Sequence, residues 1–157
     1  MNNIPMTIHG KSLIEKELEF LVKVERENIK EALIFARELG DLKENAEYHA
    51  AKEKQSHVEG RIADLQSKLA HAQVIDVSKL KSDRIVFGAT INLFDHQKET
   101  SLKIQVVGEE EAGHEPHKIS INSPPGRALI GKQEGDEVTV KAPKGDMYYT
   151  VEEFSFS

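Results

Sequence analysis

The chain has 157 residues, 21 Lys+Arg against 27 Asp+Glu, a formal charge of -6, no cysteine and no tryptophan. That charge argues against a protein that coats nucleic acid through a basic surface, and the missing cysteines exclude disulfides, thiol catalysis and cysteine-ligated zinc. No stretch approaches the roughly 18 apolar residues of a membrane span, and Met1-Asn2-Asn3-Ile4-Pro5 has neither the charged nor the apolar region of a signal peptide. A soluble, cytoplasmic protein is expected.

The first half reads as helix. From Lys11 to Gln73 there is no proline, there are two glycines (Gly40 and Gly60), and Leu, Ala, Glu and Lys dominate. Ile14, Leu18, Leu21, Glu25, Asn28, Ala32, Phe35 and Leu39 alternate steps of four and three, and Tyr48, Ala51, Gln55, Val58, Ile62, Leu65, Leu69 and Ala72 do the same. Strict alternation of three and four is the seam of a coiled coil. Folded back about residues 40–44, the two rows pair in order, from Leu39 with Tyr48 and Phe35 with Ala51 outward to Ile14 with Ala72. Glu25, Asn28 and Gln55 weaken the seam, with Val24 and Ile29 available to fill it. Arms of roughly 30 residues predict a finger about 45 Å long.

The second half, from Asp76, carries the remaining prolines apart from Pro5, together with seven of the ten glycines. Its β-branched runs predict strands over 84–86, 90–95, 102–107, 118–121, 137–141 and 148–154, with a turn at Pro143-Lys144-Gly145-Asp146 and a short helix over 127–130. The expected fold class is α+β: an N-terminal antiparallel α-helical coiled-coil hairpin (1–75, tip at 40–48), then an antiparallel sheet domain (76–157).

Chemistry is expected at the tip, Gly40-Asp41-Leu42-Lys43-Glu44-Asn45-Ala46-Glu47-Tyr48. Gly40 is placed to end the first helix in a left-handed conformation. Asp41 and Glu44, three apart at the start of a helix, support two readings: a capping box, with Asp41 capping and Glu44 reaching back, or a carboxylate pair that helps hold magnesium. Spacing leaves both open. Tyr48 reads as seam packing, and Arg37 and Lys52 as positive charge near the tip. His114-x-x-His117 has metal-like spacing but no third ligand nearby, and is expected exposed in a loop.

This nine-residue motif resembles the tip of the bacterial Gre transcript cleavage factors, GreA type. Ile4-Pro5-Met6-Thr7 with Gly10 is similar to the family's start, and Gln73-Val74-Ile75-Asp76 to its interdomain junction. Phe87-Gly88-Ala89, Ile119-Ser120-Ile121-Asn122-Ser123-Pro124 and Ala128-Leu129-Ile130-Gly131-Lys132 are similar to its second domain. The resemblance implies a C-terminal domain like that of FK506-binding prolyl isomerases, docked at the rim of the RNA polymerase secondary channel, with the hairpin inside the channel. It implies that Asp41 and Glu44 help hold a Mg2+ ion in the polymerase active site, bound only there. The polymerase then cuts its own backtracked RNA near the extruded 3′ end, so the factor stimulates cleavage and is not itself an enzyme. Tyr48 would support the tip, Arg37 and Lys52 would contact the RNA, and Ser120, Asn122 and Pro124 would dock on polymerase. The alternative is a channel-binding regulator that does not stimulate cleavage.

Overall fold

The computed structural model describes residues 3–157. Two units interleave along the chain. One gathers the N-terminal residues through Lys11 with Ala72–Ser157, and the other is Ser12–His71. The chain therefore divides at two points, near 11 and near 71, where one boundary at residue 75 was expected. The reason is a parallel pair between strand β1 (Ile4–Thr7) and strand β2 (Ala72–Ile75), with Ile4 opposite Ala72 and Thr7 opposite Ile75. Ala72, expected as the last seam residue opposite Ile14, is thus a strand residue.

The helical unit is a hairpin. Its first arm runs through α1 (Ile8–Phe20), one π-helical turn (Leu21–Glu25) and α2 (Arg26–Glu38); its second arm is α3 (Ala46–Ala70). The 25 residues of α3 span about 38 Å, somewhat less than the expected finger. Along α3 the seam lies where periodicity put it, with Ala51, Val58, Ile62 and Leu65 buried and Tyr48, Gln55 and Leu69 half-buried.

Along the first arm the seam holds from Ile14 to Glu25 and then moves by one residue. Ile29, Leu33 and Ala36 are buried, whereas Asn28, Ala32, Phe35 and Leu39 are exposed. The π-turn is the cause, because an i→i+5 turn holds one residue more than an α-turn and rotates everything beyond it. The shift replaces Asn28 with Ile29 in the cluster formed by Ile29, Leu33, Ala51, Val58 and Ile62. Ion pairs flank the seam: Arg26 donates to both Glu59 oxygens (2.8 and 2.7 Å), Arg61 to both Glu17 oxygens (2.6 and 3.0 Å), and Lys54 lies 3.3 Å from Glu25. Exposed pairs add little energy; their value is in fixing which residues face each other.

The other unit is built on a five-stranded sheet in the order β5-β4-β3-β7-β6, from β3 (Thr90–Asp95), β4 (Thr100–Val107), β5 (Lys118–Ser120), β6 (Glu137–Val140) and β7 (Met147–Ser155). Antiparallel pairing prevails, but β5 runs parallel to β4. A parallel neighbour needs a crossover, supplied by the short helix α4 (Glu109–His114), where a loop is expected from the sequence around His114 and His117. The strand expected at 84–86 is absent among the described residues. Ile85 instead makes two backbone bonds, its N–H donating to Lys132 O and its carbonyl accepting from Gly131 N, both at 2.8 Å. Alternation along β3 and β6 turns Ile91, Leu93, Val138 and Val140 into a core shared with Ile85, Val106, Leu129 and Val151. Burial of each is worth about 1.5–3 kcal/mol.

A buried polar cluster ties β1 to this unit. The Thr7 hydroxyl accepts from Gly10 N (2.9 Å) and donates to Glu111, whose side chain is 2% exposed. Lys118 Nζ answers that buried charge, 2.6 Å from Glu111 and 2.8 Å from Glu115. Among the described residues no helix is long and apolar enough to cross a membrane.

Candidate functional site

The hairpin turns through two consecutive left-handed residues, Gly40 (φ 80°) and Asp41 (φ 44°). Glycine adopts that conformation freely, and nothing lies within 4 Å of where a Cβ on Gly40 would stand. For Asp41 it costs about 1–2 kcal/mol, softened because a short polar side chain tolerates the region better than most. The first helix ends in tightened turns, with Leu39 N donating to Ala36 O and Gly40 N to Arg37 O. A β-turn follows, closed by Glu44 N donating to Asp41 O at 3.3 Å, which keeps the two Cα atoms within about 7 Å.

This geometry decides against the capping-box reading of Asp41 and Glu44. The second helix begins at Ala46, and its N-cap is Asn45, whose Oδ1 accepts from Tyr48 N at 3.0 Å. Asp41 and Glu44 precede Ala46 by five and two residues, outside the helix and its cap. Both are exposed, and among the described residues neither side chain has a hydrogen-bond or ion-pair partner. The carboxylates are therefore not spent on holding the turn.

Asn45 holds the turn, a role that no spacing in the sequence marks. Its side chain is buried, and besides capping α3 it donates through Nδ2 to Ala36 O (2.7 Å) and Gly40 O (3.1 Å). It thereby satisfies carbonyls that a helix end leaves open. His49 adds a tie, its Nε2 lying 2.9 Å from Lys43 O. Half-buried Tyr48 packs on the hairpin cluster and meets His49 edge-on, with ring centroids 5.7 Å apart. Arg37 and Lys52 are exposed on opposite arms, each following a buried alanine, Ala36 and Ala51. Lys52 Nζ lies 3.4 Å from Gln55 Oε1.

Two exposed carboxylates fit magnesium, which is commonly held through one or two carboxylates with waters and substrate phosphates completing the shell. They are too few for a site of their own. Among the described residues no group of three or more His, Asp or Glu side chains is placed to hold a metal. His114 Nδ1 lies 2.7 Å from Glu110 O at the end of α4, and His117 is exposed with φ 63°.

In the other unit Ser120, Asn122 and Pro124 share one loop. Ser120 ends β5 and accepts from Asn122 N through Oγ (3.1 Å); Pro124 opens helix α5 (Pro124–Leu129). That helix starts three residues earlier than expected, because Ser123 caps it on Gly126 N and also donates to Ser120 O at 2.6 Å. Asn122 and Pro124 are exposed, and Ser120 is half-buried.

Comparison with known proteins defines the class. Residues 4–74 match the family model for the N-terminal part of a transcription elongation factor, and residues 80–156 match the model for the GreA/GreB C-terminal part. The transcription elongation factor GreA of Ruthia magnifica is 54% identical over 152 residues, and that of Nitrosococcus oceani 52% over 152, in each case 96% of both chains. The GreA of Pseudomonas aeruginosa is 48% identical over 154 residues, 98% of both chains. The chain belongs to the GreA/GreB family of transcription elongation factors.

Proposed function

We propose that this factor places its hairpin tip in the secondary channel of RNA polymerase and stimulates the polymerase's own cleavage of backtracked RNA. The nuclease is the polymerase, and the factor contributes two carboxylates. The observation that supports this reading is the state of the Asp41 and Glu44 side chains, which are exposed at a closed turn and make no hydrogen bond or ion pair among the described residues. Magnesium bound between them and the polymerase would activate water for attack on the phosphodiester. Asp41 and Glu44 supply the negative charge and oxygen ligands, and Tyr48 braces the first turn of α3 behind them. Arg37 and Lys52 are exposed where extruded RNA phosphates would pass; Lys52 offers a point charge, without the two-pronged grip of arginine. The loop of Ser120, Asn122 and Pro124 docks on the polymerase, so affinity and chemistry reside in different units.

The test is cleavage in a stalled, backtracked polymerase complex with magnesium. Asp41→Asn with Glu44→Gln removes both charges while keeping size. Lost stimulation with retained melting temperature and retained polymerase binding is the expected result. A wild type that binds the complex but leaves cleavage at the intrinsic rate would make the factor a channel-binding regulator.

A further inference from the structure

Asn45 makes more bonds than a cap needs. Capping uses Oδ1 alone, on Tyr48 N, and Ser, Thr or Asp could supply it equally. The two Nδ2 bonds, to Ala36 O and Gly40 O, require a side-chain amide. Their targets lie on the last turn of α2 and on the peptide that joins Gly40 to Asp41.

That peptide matters because Asp41 sits in the left-handed region at φ 44°. Such a conformation persists only where its surroundings over-determine it. The turn's own closing bond, Glu44 N to Asp41 O, is long at 3.3 Å and weak by comparison with an ordinary amide bond near 2.9 Å. Holding the Gly40 oxygen fixes the plane of the Gly40–Asp41 peptide, and so the direction in which Asp41 leaves the turn relative to Glu44. From this we infer that Asn45 is a positioning residue for the acid pair, acting through the Gly40–Asp41 peptide, an inference that rests on the function proposed above.

The experiment compares full-length wild type, Asn45→Asp, Asn45→Ser and the Asp41→Asn/Glu44→Gln variant in the backtracked complex, over a range of factor concentrations. Asn45→Asp and Asn45→Ser keep a cap oxygen and lose the amide donors. Misplacing a reacting group by about 1 Å can cost 100-fold. Both variants are therefore expected to lower the maximal cleavage rate by about 10- to 100-fold, with the half-saturating concentration unchanged. Amide exchange of Glu44 should accelerate while that of Ile62, deep in α3, stays slow. Rates within about twofold of wild type in both Asn45 variants, alongside an inactive acid variant, would overturn the inference and leave the proposed function standing. An acid variant as active as wild type would overturn the function itself. A raised half-saturating concentration with an unchanged maximal rate, or lost protection throughout α3, would make Asn45 a fold residue only.

Discussion

Phe35 is 57% exposed, while its neighbour Ala36 is 1% exposed, the reverse of what their sizes favour. The π-turn at Leu21–Glu25 causes the inversion by advancing the seam one residue. Its return is the burial of Ile29 and Leu33, in place of Asn28 and Ala32.

Energetics follow directly from that register. Ile29→Ala should cost the hairpin about 2–5 kcal/mol, whereas Phe35→Ala should stay within about 0.5 kcal/mol of wild type. Denaturant unfolding of both variants decides the matter. If Phe35→Ala proved the costlier change, the uninterrupted seam would be the true one.

Two glycines should fail differently when given a methyl group. At Gly40 the space is open and only the left-handed backbone resists, so Gly40→Ala should cost about 1–2 kcal/mol and loosen the hairpin. At Gly126 a Cβ would stand 2.1 Å from the Ser120 carbonyl oxygen. Gly126→Ala must therefore move the Ser120–Pro124 loop, at about 1–3 kcal/mol. Hydrogen exchange, read unit by unit, should show the first loss in Ser12–His71 and the second around β5 and α5. The same exchange pattern for both variants would refute this division.

Much of this was legible in the sequence. The α3 seam, β3 and β6 appear because one period runs without interruption and one face is buried. The π-turn was hidden because Asn28-Ile29 and Ala32-Leu33 offer two overlapping seams, and only packing against α3 chooses between them. Strands β1 and β2 are four residues each and pair across the length of the hairpin, so no local pattern marks them. At the tip, Asp41-x-x-Glu44 and Asn45 are both credible helix starts. The choice rests on a bond between Asn45 and the carbonyl of Ala36, nine residues back, which spacing does not encode.

The half-buried Lys118–Glu115 pair beside Glu111 sets a pH dependence. Bonds from Lys118 first, and from His9 second, hold the Glu115 carboxyl below its ordinary range. Burial alone would lower Lys118, but its bonds to Glu111 and Glu115 outweigh that and hold its ammonium above the usual value. A depressed carboxyl stabilises the fold above its unfolded pKa, about 4.3, and loses that contribution as pH falls through the folded value. A raised ammonium stabilises below its unfolded pKa, about 10.4, and loses that contribution as pH rises through the folded value. The contribution of these two groups should be constant between those limits and fall on both sides, and Glu115→Gln should make the acid limb shallower. An acid limb of unchanged steepness in that variant would remove Glu115 from the explanation.

The most direct measurement is a competition. Asp41→Asn/Glu44→Gln keeps the Ser120–Pro124 loop and the hairpin, and lacks only the charges at the turn. Titrated against a fixed amount of wild type in a backtracked polymerase complex, it should drive cleavage down to the polymerase's intrinsic rate, because it occupies the site without supplying the acids. Cleavage that stays at the wild-type level when the variant is in large excess, with the variant bound, would show that Asp41 and Glu44 do not carry the chemistry.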